Sequence, residues 1–131
     1  MPVRGIRGAT TADVNTAEAI TNATDELLRE LVRINEFDSA DVAFAYFTTT
    51  DDLDAEYPAL AARRLGWLDV PLLCGQEMKV KLPNPRSVSM CIRILLLVNT
   101  PRPQAAMRFA YLRGAEAIKA DLDYLRGSLL P

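Results

Sequence analysis

Apolar positions in the first third of the chain change from an alternating spacing to a helical one. Residues 3–11 alternate around two glycines, which indicates a strand. The apolar residues that follow recur every three or four positions, which predicts a helix over about residues 16–35. Asn15 stands where an N-cap is expected, with Glu18 three residues later. The chain therefore begins with a strand and one long amphipathic helix.

The rest of the chain carries shorter segments. Runs of β-branched, aromatic and aliphatic residues predict four further strands, at residues 42–50, 70–78, 88–100 and 110–118. Helical turns or short helices are predicted at residues 38–41, 57–66 and 101–109. We expect one α+β or mixed α/β domain over residues 1–120, followed by a mobile C-terminal tail at residues 121–131.

Composition adds mainly exclusions. The 131 residues are 50% hydrophobic and 24% charged, with a net charge of −2, which fits a globular protein and disfavours a strongly basic nucleic-acid binder. The chain has no histidine, which excludes Ser-His-Asp triads, Cys-His dyads and histidine metal ligands. Two cysteines, Cys74 and Cys91, are too few for a zinc site. The acidic run at 51–56 lacks the spacing and glycine of a calcium loop, so we expect no metal site.

Neither a leader nor a membrane span is predicted. The first residues lack a charged segment followed by an apolar one, and the longest apolar run, residues 94–98, is too short to cross a bilayer. Two free thiols fit a reducing compartment. We therefore expect a cytoplasmic protein that binds neither membrane nor nucleic acid.

Arg93 is the one charged residue within the apolar run 88–100. An unpaired arginine is costly to bury, so this side chain either pairs with a carboxylate or faces a polar pocket. Arginine supplies 12 of the 15 basic residues, and its planar guanidinium suits carboxylate ligands, although a codon bias would produce the same count. Pattern alone leaves both explanations open.

Five fragments in order resemble the small chorismate mutases of the trimeric pseudo-α/β-barrel type. They are VRGIRGATT at 3–11, YPALAAR at 57–63, VPLLCGQEM at 70–78, CIR at 91–93 and YL at 111–112. Their order and approximate spacing hold from about residue 3 to residue 122. The resemblance implies a five-stranded mixed sheet with one long helix and short helices, assembled as a homotrimer with active sites at subunit interfaces.

The resemblance also implies a reaction, the isomerisation of chorismate to prephenate on the shikimate pathway toward phenylalanine and tyrosine. This rearrangement is intramolecular and pericyclic, with no proton to move and no covalent intermediate. The protein needs only to select the reactive conformer and to stabilise developing charge. The absence of histidine is compatible with such chemistry, and no cofactor is implied.

Roles follow for individual positions that match the family. Arg93 matches the arginine that meets the breaking ether oxygen, and Glu77 the glutamate that binds the ring hydroxyl. Arg7 matches the arginine that holds a substrate carboxylate, and Tyr111 the tyrosine that bonds the side-chain end of the substrate. Cys74 matches a pocket-lining position that offers backbone contacts. Substrate-binding positions that the family supplies from the neighbouring subunit correspond to Tyr57, Ala59, Arg63 and Leu73, and the apolar-basic pair near the site entrance corresponds to Ile118 and Lys119.

Taken singly, these residues have ordinary structural explanations. Arg7 and Glu77 would form a cross-strand ion pair, Tyr111 would be a half-buried core aromatic, and Cys74 would fill a small apolar space. Only their combination around Arg93 favours a site.

Two departures from the family pattern stand out. Leu60 replaces a frequent lysine at the mouth of the site, which would weaken attraction for a dianionic substrate. The segment 79–90 is about three residues longer, and Lys79, Lys81 or Arg86 are candidates to restore the positive charge. These departures favour one alternative, a non-catalytic trimeric protein that binds a small anion. A second alternative, a trimeric enamine or imine deaminase-like enzyme, shares the fold shape but not the start at residues 4–11.

Overall fold

The computed structural model describes residues 1–129, and its centre is a five-stranded mixed sheet. The strands are β1 (Val3–Thr11), β2 (Val42–Thr49), β3 (Leu72–Gln76), β4 (Cys91–Asn99) and β5 (Ala110–Tyr111). Their order across the sheet is β3-β2-β4-β1-β5. The central strand β4 runs antiparallel to both β1 and β2, whereas the edge strands β3 and β5 pair in parallel. The predicted α+β class with a five-stranded mixed sheet is confirmed.

Three helices accompany the sheet: α1 (Ala17–Asn35), α2 (Ala59–Arg64) and α3 (Glu116–Leu129). Single turns of 3-10 helix occur at Ser39–Asp41, Gln104–Ala106 and Arg113–Ala115. The long helix starts one residue later than Asn15 would allow, because Thr16 is the N-cap and accepts a hydrogen bond from the Ala19 amide. Asn15 instead accepts hydrogen bonds from the amides of Asp54 and Ala55, which ties the helix entry to the loop after β2.

The C-terminal part of the chain differs from the prediction. The fifth strand ends at Tyr111 instead of residue 118 because Arg113, at φ 52°, turns the chain away from the sheet. Residues 116–129 then form α3, so residues 121–129 of the predicted tail are helical. No residue of α3 is buried, although Ile118, Leu122, Leu125 and Leu129 recur along it at helical spacing. The mobility of the tail and a boundary at residue 120 stay predictions, and residues 130–131 lie outside the described part.

Helix α1 covers one face of the sheet. Its contact with β1 is close at Gly8, where an added Cβ would meet Leu27 and Leu31 at 3.0 Å and Ile94 at 3.2 Å. We call the opposite side the open face. It includes apolar side chains that remain accessible, such as Leu73 at 64% and Leu95 at 37% exposure. Across residues 1–129, helices with the length and apolar character to cross a membrane are absent.

Candidate active site

Strand register aligns the polar side chains of the open face in two rows. The Arg93 row consists of Gly75, Thr48, Arg93, Ala9 and Tyr111, one residue from each strand in the order β3-β2-β4-β1-β5. The Arg7 row lies two residues away along each strand and consists of Leu73, Tyr46, Leu95 and Arg7. Because side chains two residues apart in a strand point to the same side, both rows share the open face.

A cavity of ≈ 180 Å³ lies over the two rows, and we call it the Arg93 cavity. Four of the residues that the family resemblance selects line it, namely Arg7, Arg93, Tyr111 and Ile118. Tyr46 and Thr48 also line it, although the sequence did not single them out. Their alternation with the buried Ala45 and Phe47 in β2 was the available signal.

Glu77 follows β3 and reaches the centre of the site. Its Oε2 lies 3.0 Å from Nε of Arg93, and Thr48 donates a long hydrogen bond of 3.5 Å to the same oxygen. The Arg93 contact is an ion pair without hydrogen-bond geometry, so the buried Arg93 Nε has no hydrogen-bond partner. The buried hydroxyl of Tyr111 also lacks one. Two donors with unused hydrogen-bonding capacity therefore meet at the cavity.

Arg7 enters the cavity from β1 without an ion pair to Glu77, so the cross-strand pair considered for these two residues does not form. The Arg7 guanidinium carbon instead lies 5.2 Å from the centroid of the Phe109 ring. An aromatic face attracts a cation while leaving its N–H groups free, so Arg7 keeps its donors for a ligand. Phe109 is a supporting residue that sequence reasoning missed, because it lies outside the predicted strands.

The remaining selected residues lie elsewhere in the chain. Cys74 and Tyr57 line a second cavity of ≈ 470 Å³, between β3 and the loop that follows β2. Cys74 pairs in register with Phe47, which is fully buried, whereas the neighbouring Gly75 belongs to the open face. Burial raises the pKa of the Cys74 thiol, opposed by a hydrogen bond from the backbone of Ala59 and by the charge of Arg63. The thiol is therefore protonated and unreactive near neutral pH.

Ala59 and Leu73 differ in what they offer a neighbour. The Ala59 side chain is buried in its own core, so only its backbone is available. Leu73 and Tyr57 are 64% and 68% exposed, which leaves both free to contact another molecule. Within one copy of the chain, none of these residues lines the Arg93 cavity, although Leu73 shares the open face with it.

The lengthened segment between β3 and β4 does not place its cations in the Arg93 cavity. Lys79 forms an ion pair with Asp51 at 3.1 Å, and Arg86 forms one with Asp121 of α3 at 3.5 Å. Neither these residues nor Lys81 line the cavity. Leu60 is half-buried in α2. Over residues 1–129, no group of three or more cysteine or carboxylate ligands is arranged to hold a metal ion.

Comparison with known proteins gives a consistent result. Residues 3–122 match the family model of chorismate mutase type I. The chain is 44% identical over 122 residues to chorismate mutase AroH of Thermus thermophilus, covering 92% of this chain and 97% of that protein. It is 37% identical over 131 residues to chorismate mutase AroH of Bacillus subtilis, covering 99% and 100%. A solved chorismate mutase from Clostridium thermocellum superposes with a TM-score of 0.80 at 41% identity, over 86% of this chain and 96% of that one. The chain belongs to the chorismate mutase type I family.

Proposed function

We propose that this chain catalyses the rearrangement of chorismate to prephenate in the Arg93 cavity. The observation that carries the proposal is the centre of the site. A guanidinium with an unpartnered Nε lies 3.0 Å from the Glu77 carboxylate, beside the unpartnered hydroxyl of Tyr111. These are the groups that the resemblance assigns to the ether oxygen, the ring hydroxyl and the side chain of the substrate.

The chemistry asks little of the protein beyond charge and position. In one step the ether C–O bond breaks and a new C–C bond forms, with no acid, base or cofactor required. The ether oxygen becomes partly negative as its bond breaks, so a fixed cation there stabilises the transition state more than the substrate. Arg93 is suited to this role because a guanidinium keeps its charge when half-buried.

The other residues would hold the compact conformer in which the reacting carbons meet. Arg7 binds one carboxylate with the N–H groups that its Phe109 contact leaves free. Glu77 accepts a hydrogen bond from the ring hydroxyl, and Tyr111 donates one to the side-chain end. Such positioning converts a rare conformer into the bound one, which lowers the entropic part of the barrier.

The assembly that fits this function is a homotrimer with its sites between subunits. Two observations support it. The open face carries exposed leucines, Leu73 and Leu95, and Cys74, Tyr57 and Arg63 lie away from the Arg93 cavity within one chain. In a trimer, Cys74, Tyr57 and Arg63 of one subunit would complete the Arg93 cavity of a neighbour, and Arg63 would add a cation to it. We also propose a cytoplasmic location, which is supported by the two free cysteines, Cys74 and Cys91.

The test is a spectrophotometric assay that follows loss of chorismate absorbance with purified protein. We expect saturable turnover, and we expect Arg93→Ala to lower kcat by about 10²–10³-fold, as for loss of one preorganised donor. Size measurement of the variant separates lost chemistry from lost assembly. Tight chorismate binding without turnover would contradict the proposal and favour the anion-binding alternative. A deaminase-like activity would require turnover of an imine substrate, and no observed contact favours it.

A further inference from the structure

Tyr46 is a cavity residue to which the resemblance gives no role. It belongs to the Arg7 row by register, opposite Leu73 and Leu95, but its ring extends toward the Arg93 row. A Cβ added to Gly75 would lie 2.1 Å from the Tyr46 hydroxyl oxygen and 2.9 Å from Cζ. The phenol therefore lies over Gly75, in the Arg93 row, and occupies space that any other residue at that position would fill.

The position of the Tyr46 ring over Gly75 determines which part of the cavity its hydroxyl reaches. Gly75 is two residues before Glu77 in the chain, and the Glu77 amide bonds the carbonyl of Thr49 at 2.9 Å, so the β2–β3 pairing continues up to it. The Tyr46 hydroxyl consequently lies on the same side of Arg93 as Glu77. Arg7 and Tyr111 approach from β1 and β5, on the other side.

The hydrogen-bonding capacity of the hydroxyl is unused. Among the hydrogen bonds within residues 1–129, none involves the Tyr46 side chain, although Thr48 beside it bonds Glu77. A phenol both donates and accepts, whereas an ionised carboxylate only accepts. An alcohol bound between them would donate a hydrogen bond to Glu77 and accept one from the Tyr46 hydroxyl, so that it acts as both donor and acceptor.

From this geometry we propose that Tyr46 is a substrate-binding residue whose hydroxyl donates a hydrogen bond to the ring hydroxyl of the substrate. The inference rests on the proposed function, because chorismate is the ligand that supplies an alcohol next to the ether oxygen. Gly75 is a positioning residue for it, since the absence of a side chain there gives the phenol its place.

The first test replaces the hydroxyl alone. We expect Tyr46→Phe to raise KM for chorismate by about three- to tenfold, the effect of one net hydrogen bond, with a smaller change in kcat. A chorismate analogue without the ring hydroxyl should bind the wild type and Tyr46→Phe equally, because it cannot use the bond. Tyr124→Phe, on the exposed surface of α3, is the matched control and should leave both ligands unaffected.

The second test displaces the phenol. Gly75→Ala should raise KM for chorismate as Tyr46→Phe does, because the new Cβ expels the hydroxyl from its place. In the Tyr46→Phe background the same change should add little, since the two substitutions remove one interaction. Thermal melting and size measurement of every variant show whether folding and assembly are intact.

Four results would overturn the assignment. Equal losses for chorismate and for the analogue in Tyr46→Phe would mean that Tyr46 does not recognise the ring hydroxyl. Unchanged kinetics with a changed assembly size would place Tyr46 in a subunit contact. Active wild type with unaltered Tyr46→Phe kinetics would reject Tyr46 alone, whereas an inactive wild type would reject the proposed function and this assignment with it.

Discussion

Phe109 holds Arg7 without consuming its hydrogen-bond donors. A carboxylate at the same position would hold the guanidinium more firmly, but it would also neutralise the charge that a substrate carboxylate needs. The aromatic ring, 5.2 Å from the guanidinium carbon, restricts the side chain at lower electrostatic cost. This arrangement makes the strength of substrate binding depend on a residue that contributes no polar atom.

We expect Phe109→Leu to raise KM for chorismate by about two- to fivefold, the value of one exposed cation–π contact. The Arg7 side chain then samples more rotamers and must be ordered by the substrate itself. Phe109→Tyr keeps the ring and should retain wild-type KM. Steady-state kinetics of the two variants measure the effect, and an unchanged KM in Phe109→Leu would show that Arg7 is positioned by other contacts.

Cys91 adds a pH dependence to stability. Burial raises the pKa of its thiol, opposed by the positive charge of Arg93. In the unfolded chain the thiol ionises above about pH 8.5, while the folded chain still keeps its proton. The unfolded state then binds fewer protons, so the free energy of unfolding falls as pH rises through that range.

Denaturant unfolding at neutral pH and at about pH 10 tests this dependence on the thiol pKa. Cys91→Ala should cost about 1 kcal/mol at neutral pH from lost packing. The free energy of unfolding of Cys91→Ala should fall less than that of the wild type between the two pH values. The remaining alkaline loss includes Cys74, whose pKa is also raised by burial. Parallel pH curves for wild type and variant would contradict the assignment to Cys91.

At the scale of elements, the packing of α1 against the sheet controls the floor of the Arg93 cavity. Gly8 lies between Arg7 and Ala9 in β1, and it permits the close approach of Leu27 and Leu31 from the helix. Any added atom there must move the helix or the strand. Since β1 carries Arg7 on its opposite face, such a shift reaches the site.

Gly8→Ala should lower the free energy of unfolding by about 1–3 kcal/mol, as overpacked cores do. It should also lower kcat/KM through displacement of Arg7. The matched control is Gly127→Ala in α3, where an added Cβ meets nothing within 4 Å and no stability should be lost. Chemical denaturation and the chorismate assay measure both effects. A Gly8→Ala variant as stable as the wild type would mean that the interface of α1 and β1 relaxes freely.

At the scale of the whole molecule, shared sites predict complementation between defective copies. Arg93→Ala and Arg63→Ala remove groups that the proposed trimer brings together from different chains. When the two variants are unfolded, mixed in equal amounts and refolded, about one quarter of the clefts regain both arginines by random assortment. We expect the mixture to recover about that fraction of wild-type activity.

Refolding each variant alone is the control, and it should restore no activity beyond that of the variant. A mixture no more active than the average of the two separate variants would show that both arginines act within one chain. Light scattering on the refolded samples reports whether trimers have formed.

The sequence predicted most of the sheet because alternation marks β1 and runs of β-branched, aromatic and aliphatic residues mark β2 and β4. Residues 3–11 were placed correctly, and Arg93 stood out as one charge in an apolar strand. Convergence of Arg7 with Arg93 could not be read from spacing alone, since it depends on the pairing of β1 with β4. The helix at 116–129 was missed although Ile118, Leu122, Leu125 and Leu129 recur at helical spacing, because residues 110–118 were taken as a strand and the short stripe buries no residue. The cap at Thr16 was missed because Asn15 is committed to a distant loop.

The register of β4 also determines where this chain tolerates changes in length. Inserting one residue within β4 would reverse the facing of every residue beyond it, turning Arg93 toward α1 or an isoleucine toward the cavity. Both neighbouring strands would lose their alignment with it. The segment between Gln76 and Cys91 lies outside the sheet. Residues added there leave unchanged which side chains of β4 face the cavity and which face α1. Family members should therefore vary in length between β3 and β4, and hardly at all inside the central strand.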